Sequence, residues 1–204
     1  MFSGIISAIA KIEKSQMKNG SLFLTIQKPR GWRVKPGDSI ATDGICLTVK
    51  SIKRNTYTTE LMDETLKKTI FGKKIPKTVN VEKSLGVSSL LDGHIVQGHI
   101  DTTGKIAQIK KIGKSKLITF SYPKEFSHLI APKGSIAIDG ISLTIVEAKM
   151  GACTVSFVDY TLQHTTMGKK NVNDPVNIEF DIIAKYLYIF YKHYENRPKK
   201  RQLL

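Results

Sequence analysis

Short runs of apolar and β-branched residues, separated by residues that favour turns, recur along the chain. In the first half, their length and alternation predict five strands, at residues 22–26, 39–41, 45–52, 56–61 and 79–81. The breaks carry Gly, Pro, Asn and Asp, which favour turns through a positive or fixed φ. Asp43-Gly44 lies between alternating apolar residues and predicts a hairpin turn or a bulge, and Asp139-Gly140 repeats it.

The same pattern occurs twice in the chain. Residues 39–49, SIATDGICLTV, match residues 135–145, SIAIDGISLTI, at eight of eleven positions, with a displacement of 96 residues. The register holds downstream, where Thr65 and Thr161 are each followed at once by a leucine. A long repeat that is present twice predicts two similar domains, each with its own core, rather than a solenoid.

Short strands with little helical periodicity predict an all-β fold, in which each half forms a small closed antiparallel barrel. We expect one barrel in residues 1–94 and the other in residues 95–190. We expect a helix and a basic tail in residues 181–204, because Ile183, Leu187, Phe190 and Tyr194 recur at helical spacing. Such a helix either packs on the second barrel or pairs with copies of itself, and two heptads do not decide between these.

Composition narrows the class of protein. The 204 residues hold 32 Lys and Arg against 17 Asp and Glu, a net charge of +15. A net positive charge of this size is typical of proteins that bind nucleic acids. However, the lysines scatter through turns and both halves instead of alternating with surface aromatics on one strand face. We therefore expect a solvated basic surface and no nucleic-acid partner.

The sequence lacks the features of membrane, secreted and disulfide-rich proteins, and this indicates the cellular compartment. No apolar run reaches the about 18 residues of a membrane-spanning helix, and the start lacks a basic signal-peptide region. Two cysteines, Cys46 and Cys153, cannot form a dense disulfide framework and have no zinc-ligand spacing. These features predict a cytoplasmic protein with no membrane partner.

Polar groups occupy matching positions in the two halves. Cys46 with Thr48, and Ser142 with Thr144, place thiol or hydroxyl groups on one face of a strand, since residues two apart share a face. One such pair is ordinary for a strand. Two pairs in register favour a repeated ligand site.

Two histidines lie between the halves, in residues 92–101, DGHIVQGHID. On a strand, His94 and His99 would point to opposite faces, and no carboxylate or cysteine completes a metal set with them. We therefore expect no metal site. His99 follows Gly98, where the missing side chain lets a planar ligand approach the backbone. An imidazole there can act as acid, base or donor, although a structural hydrogen bond is the commoner role of either histidine.

Together these motifs resemble the riboflavin synthases of the homotrimeric, duplicated-barrel type. The resemblance rests on the MFSGI start, the doubled SIAxDGIxLT block, GHIVQGHID at 93–101 and the two Thr-Leu segments. It implies two tandem six-stranded antiparallel Greek-key barrels and a C-terminal helix that contributes to a homotrimer. It also implies a transferase reaction, the last step of riboflavin biosynthesis. Two molecules of 6,7-dimethyl-8-ribityllumazine exchange a four-carbon unit to give riboflavin and 5-amino-6-(ribitylamino)uracil, without a cofactor.

In such enzymes each barrel binds one lumazine, and the active site forms between the N-terminal barrel of one subunit and the C-terminal barrel of another. The resemblance also admits an association with lumazine synthase. It implies contacts of the first site at Gly4, Ile5, Ile6, Cys46, Leu47, Thr48, Glu60, Leu61, Met62, Asp63, Glu64 and Thr65. It implies contacts of the second site at Gly98, His99, Ile100, Lys133, Ser142, Leu143, Thr144, Val158, Asp159, Tyr160, Thr161, Leu162 and Gln163.

The resemblance suggests roles for five of these residues. As a hypothesis, His99 and Ser142 assist proton transfer or addition near lumazine C7, and Cys46 lines the partner site. Thr48 and Thr144 hydrogen-bond the pyrimidine-like edges.

Two features bear on whether the chain is active. Asp159-Tyr160 stands where family members often carry Pro-Glu, so the second site is expected to differ in detail. The alternative on the same fold is a non-catalytic lumazine or flavin carrier. Such carriers have usually lost parts of the Cys-Leu-Thr, Ser-Leu-Thr and Gly-His patterns, whereas this chain keeps all three, which favours an active enzyme.

Overall fold

The alternating apolar residues form strands that close into two six-stranded antiparallel barrels, so the predicted all-β fold is confirmed. The computed structural model describes residues 1–195. The first barrel contains β1 (Ala8–Lys18), β2 (Ser21–Gln27), β3 (Ser39–Thr42), β4 (Ile45–Lys53), β5 (Thr56–Leu61) and β6 (Thr78–Lys83). The second contains β7 (Thr102–Ile112), β8 (Ser115–Ser121), β9 (Ser135–Ile138), β10 (Ile141–Lys149), β11 (Ala152–Phe157) and β12 (Pro175–Phe180).

Both barrels have the same strand order, β1-β2-β5-β4-β3-β6 in the first and β7-β8-β11-β10-β9-β12 in the second. A short helix follows the fifth strand of each, α1 (Asp63–Lys68) and α2 (Asp159–His164). The predicted hairpin at Asp43-Gly44 is confirmed, because both residues have positive φ and join β3 to β4. The equivalence of the two halves thus extends from sequence to topology.

Each barrel has its own apolar core. Along β2, Leu22, Leu24 and Ile26 point inward and are at most 1% exposed, while the residues between them are half-buried. Burying a side chain of this size contributes about 1.5–3 kcal/mol. The five predicted strands are observed, whereas β1 was not predicted. Most of β1 after Ile12 is exposed, so its sequence lacks the alternation that marks a half-buried strand.

Reciprocal hydrogen bonds between equivalent residues join the two barrels. The side-chain amide of Asn80 donates to the backbone oxygen of Asp139 at 3.0 Å, and that of Asn177 donates to the backbone oxygen of Asp43 at 2.9 Å. All four residues are buried. Burial, with Asp139 nearby, raises the pKa of the Asp43 carboxyl, and Lys170 opposes the rise. These reciprocal bonds fix how the two barrels sit against each other.

The C-terminal helix α3 (Ile182–Glu195) follows the second barrel directly. Ala184 and Tyr188 pack against that barrel's core, and Lys185 pairs with Asp101 at 2.6 Å. The predicted seam is not buried, since Ile183, Leu187, Phe190 and Tyr194 are 55–72% exposed. The helix therefore packs on its own barrel and leaves an apolar face open. The predicted basic tail, residues 196–204, lies outside the described residues, and within residues 1–195 no helix could span a membrane.

Candidate functional site

Each repeat begins with a segment that crosses to the opposite barrel. Residues 1–7 and 95–101 first pair with each other, through hydrogen bonds of 2.7 and 3.1 Å between Phe2 and Val96. The Ser142 amide on β10 then donates to the Gly4 carbonyl at 2.8 Å. The Cys46 amide on β4 donates to the Gly98 carbonyl at 2.9 Å. Residues 1–7 therefore contact the second barrel, and residues 95–101 contact the first barrel.

This crossing corrects the grouping of residues expected from the resemblance. Gly4, Ile5 and Ile6 were grouped with Cys46, but they lie beside Ser142. Gly98, His99 and Ile100 were grouped with Ser142, but they lie beside Cys46. We call Cys46, α1 and the Gly98 segment the N-terminal half-site, and Ser142, α2 and the Gly4 segment the C-terminal half-site.

The glycines at the crossing points are required by space and conformation. Gly4 and Gly98 have φ of +78° and +82°, values that L side chains rarely adopt. A Cβ at Gly4 would lie 2.7 Å from the Cβ of Ser142, and one at Gly98 would lie 2.5 Å from the Cβ of Cys46. The two segments can therefore touch β10 and β4 only because they carry no side chain at these positions.

A buried glutamate holds each crossing segment. Glu82, on β6, accepts from the amides of Ser3 and Gly4 at 2.8 and 3.0 Å and from the Ser3 hydroxyl at 2.8 Å. Glu179, on β12, accepts from the amides of Gln97, Gly98 and His99 at 2.7–3.2 Å. Burial raises the pKa of both carboxyls, although the amide hydrogen bonds oppose it. These glutamates were not predicted, because their partners lie about eighty residues away.

The N-terminal half-site forms a cavity of about 180 Å³. Its lining comprises Ile45, Cys46, Glu64, Thr65, Lys68, Thr69, Gly98, His99 and Ile100. Cys46 is half-buried and His99 is exposed. Within residues 1–195 the Cys46 thiol makes no hydrogen bond, and it is free of any disulfide. The cavity thus combines a thiol, a hydroxyl and an imidazole from three separate elements.

The C-terminal half-site contains His94, which was expected only to make a structural hydrogen bond. His94 Nδ1 lies 2.7 Å from Ser142 Oγ, and the His94 amide donates to the Ser3 carbonyl at 3.1 Å. Burial lowers the pKa of His94, and the negative charge of Asp181 opposes this shift. The strand geometry considered for the two histidines is wrong, since residues 92–101 form an irregular segment with a single bridge at Val96.

The strand faces agree with the predicted polar pairs. Thr48 and Thr144 are exposed, and Cys46 and Ser142 are half-buried on the same outer face of their barrels. Leu47, Leu61 and Leu143 instead point into the cores, so a ligand can meet only their backbone atoms.

The other predicted contacts lie around these strands. Met62, Asp63, Glu64 and Thr65 lie at or in α1, and Val158, Asp159, Tyr160, Thr161, Leu162 and Gln163 lie at or in α2. Glu60 is ion-paired with Lys50, and Lys133 is exposed in the loop before β9. In residues 1–195, no group of three or more His, Cys, Asp or Glu is placed to hold a metal ion.

Comparison with known proteins decides the family. The lumazine-binding domain profile matches twice, at residues 3–84 and 97–181. Riboflavin synthase of Actinobacillus pleuropneumoniae is 38% identical over 192 residues, which cover 93% of this chain and 89% of that protein. The Bacillus subtilis enzyme is 34% identical over 206 residues, which cover 100% of this chain and 95% of that protein. The chain belongs to the riboflavin synthase family.

Solved structures share the fold of this family member. LumP complexed with riboflavin superimposes with a TM-score of 0.82 at 22% identity, covering 88% of this chain and 99% of LumP. LumP complexed with 6,7-dimethyl-8-ribityllumazine gives 0.79 at 22% identity, covering 88% of this chain and 98% of LumP. These likenesses establish the duplicated-barrel fold.

Proposed function

We propose that this chain is a transferase that converts two molecules of 6,7-dimethyl-8-ribityllumazine into riboflavin and 5-amino-6-(ribitylamino)uracil. The observation that carries the proposal is the pair of half-sites, which are related by the repeat and built from equivalent strands and helices. Two equivalent half-sites suit two copies of one substrate, of which one gives and the other accepts the four-carbon unit. Full-length similarity to riboflavin synthases supports the same reaction.

The complete active site is proposed to form between subunits. The N-terminal half-site encloses about 180 Å³, less than the about 300–1,000 Å³ of a typical small-molecule pocket. Its polar groups lie on the outer face of the barrel, where a second chain can close over them. The open apolar face of α3, defined by Ile183, Leu187, Phe190 and Tyr194, supplies a surface for association as a homotrimer.

Much of the rate is expected to come from holding the two heterocycles face to face. Proximity and orientation can supply up to about 7–11 kcal/mol of a barrier. Thr48 and Thr144 are suited to bind the pyrimidine edges, because their hydroxyls are exposed beside Cys46 and Ser142. His99 and Ser142 are the proposed proton-transfer groups. Cys46 lines the N-terminal half-site, at the position equivalent to Ser142. No step of this scheme requires a metal or a cofactor.

The cellular setting is part of the proposal. Cys46 and Cys153 are both free thiols, as expected in a reducing compartment, and we place the enzyme in the cytoplasm. Lumazine synthase is the macromolecular partner to test, by co-sedimentation of the two purified proteins.

The function is tested by adding the purified chain to 6,7-dimethyl-8-ribityllumazine. Flavin absorbance should appear, and chromatography should show one riboflavin for every two lumazines consumed. Tight binding of lumazine without turnover would instead indicate a carrier, and neither binding nor turnover would reject the proposal altogether.

A further inference from the structure

The segment that joins the two barrels reaches into the C-terminal half-site. A Cβ at Gly93 would lie 2.1 Å from the Ser3 carbonyl oxygen and 2.9 Å from Ser142 Oγ, so only glycine fits there. This close approach places the next residue, His94, against the Ser142 side chain. The contact is also held by the backbone, because the His94 amide donates to Ser3, whose own amide is bound by Glu82.

The contact joins a base to a hydroxyl. Nδ1 of His94 and Oγ of Ser142 are 2.7 Å apart, a normal length for a strong hydrogen bond. Partial burial of the ring lowers the pKa of His94, so the neutral imidazole prevails at neutral pH. A neutral imidazole accepts the hydroxyl proton on Nδ1 when its own proton is on Nε2. Asp181 is the charged group whose field acts on His94, and Glu82 lies behind Ser3.

The N-terminal half-site has no such pair within residues 1–195. The Cys46 thiol makes no hydrogen bond there, and His99, the imidazole of that half-site, is exposed to solvent. The two half-sites are therefore equivalent in backbone but unequal in proton-transfer chemistry. Of the two central side chains, Cys46 and Ser142, it is Ser142 that is hydrogen-bonded to a base in the described part of the chain.

We propose that His94 is a positioning residue that acts through Ser142, so that the C-terminal half-site removes and returns a proton of the lumazine bound there. The inference rests on the proposed function. A methyl group on a C=N carbon, such as C7 of the lumazine, is acidic because its carbanion is delocalised into the ring. The methyl C–H bond breaks, its electron pair stays on the heterocycle, and its proton passes to Ser142 Oγ. The Ser142 hydroxyl proton moves to His94 Nδ1, and the same path in reverse restores both groups.

The test compares His94→Gln with His94→Ala and Ser142→Ala. Glutamine can still accept a hydrogen bond from Ser142 but cannot take up its proton, which separates orientation from proton transfer. We expect exchange of the lumazine C7-methyl protons in D₂O, followed by NMR, to slow at least tenfold in all three variants. Lumazine Kd should change by less than about threefold, and added imidazole should partly rescue His94→Ala.

The pH profile gives a second readout that a purely structural histidine would not move. In the unaltered protein, kcat/KM should fall as pH drops through the lowered pKa of His94, because the imidazolium cannot accept a proton. This limb should disappear in His94→Gln. The double variant, His94→Gln with Ser142→Ala, should be no slower than the slower single variant, since the two residues act as a unit.

Methyl-proton exchange and a pH profile that are unchanged in His94→Gln would overturn the inference while leaving the proposed function intact. If His94→Gln fails to fold, the pH profile of Ser142→Ala decides, because the limb assigned to His94 should disappear there as well. Ser142 lies on the outer face of β10, so its truncation leaves the barrel core untouched. Failure of the unaltered chain to make riboflavin would instead reject the proposed function.

Discussion

The Cys46 and Ser142 half-sites share a scaffold and differ in the groups that meet the central side chain. In each, a glycine from the opposite repeat receives a hydrogen bond from the strand, and a buried glutamate holds that glycine's segment. At Ser142 a half-buried imidazole touches the hydroxyl, whereas at Cys46 the imidazole of His99 is exposed. The two half-sites therefore have equivalent backbone contacts but different side chains at their centres. Unequal half-sites are what a reaction needs when two identical substrates take different roles.

We expect the strongest loss of activity from a substitution that displaces the Gly98 segment in the N-terminal half-site. Gly98→Ala places a Cβ 2.5 Å from that of Cys46, so the Gly98 segment must move. A displacement near 1 Å can cost about a hundredfold in rate, and we expect riboflavin formation to fall at least that much. The matched control is Gly20→Ala, because Gly20 has a similar φ of +78° but open space around it. Equal activities of the two variants would contradict the role of the close approach.

Removing the exposed imidazole of the N-terminal half-site should have the next largest effect. We expect His99→Gln to slow riboflavin formation about ten- to a hundredfold, at or below the lower end of typical acid–base contributions. Because the ring is exposed, the thermal midpoint should stay within about 2 °C of the unaltered protein. Steady-state kinetics with a thermal melt tests both statements, and unchanged turnover would remove His99 from the mechanism.

Much of the fold that positions the half-sites could be predicted from the sequence. Five strand positions of the first barrel and the helical seam rest on local patterns, and the 96-residue register rests on direct matching of the two halves, so these features were found. Strand β1 was missed because its second half is exposed. The helices α1 and α2 were missed because six residues are too short to show helical periodicity.

The half-sites were predicted in composition but not in arrangement. Cys46 and Ser142 follow from the repeat, yet their partners Gly98 and Gly4 come from the opposite repeat. That exchange depends on contacts between residues far apart in the chain, which leave no local periodicity. The contact of His94 with Ser142 also joins residues far apart in the chain, so no local pattern predicts it. The glycine at position 93 is the one local sign of a close approach there.

Making the two central residues alike should have a modest effect. Cys46→Ser gives the N-terminal half-site the side chain of its counterpart, and the hydroxyl is close to the thiol in size. We expect less than a tenfold loss of kcat, because the thiol lines the half-site and makes no hydrogen bond in residues 1–195. A loss above a hundredfold in stopped-flow or steady-state assays would show that Cys46 is a nucleophile.

The weakest of these effects should be the change of folding stability with pH that the buried glutamates cause. Burial raises the folded-state pKa of Glu179, so its contribution to stability is fullest below its ordinary pKa of about 4.3 and is lost as pH rises through the raised value. Glutamine does not titrate. The stability gap between the unaltered protein and Glu179→Gln should therefore narrow from pH 4 to pH 7, by at most about 1.4 kcal/mol per pH unit.

The control for that experiment has the opposite sign. Hydrogen bonding to Lys50 lowers the pKa of Glu60, so the gap between the unaltered protein and Glu60→Gln should widen over the same range. Urea unfolding at several pH values measures both gaps. A Glu179→Gln gap that widened with pH would show that the amide hydrogen bonds outweigh burial.

Mixing two variants tests most directly whether one half-site of each kind, from different subunits, forms each active site. Gly98→Ala impairs the N-terminal half-site, and Gly4→Ala impairs the C-terminal half-site, where its Cβ would lie 2.7 Å from that of Ser142. In a closed ring of three subunits, every mixed assembly holds one intact pair, so the co-refolded mixture should regain up to about a quarter of full activity. A mixture that assembles yet stays as inactive as the separate variants would show that the active sites are not formed by half-sites from different subunits.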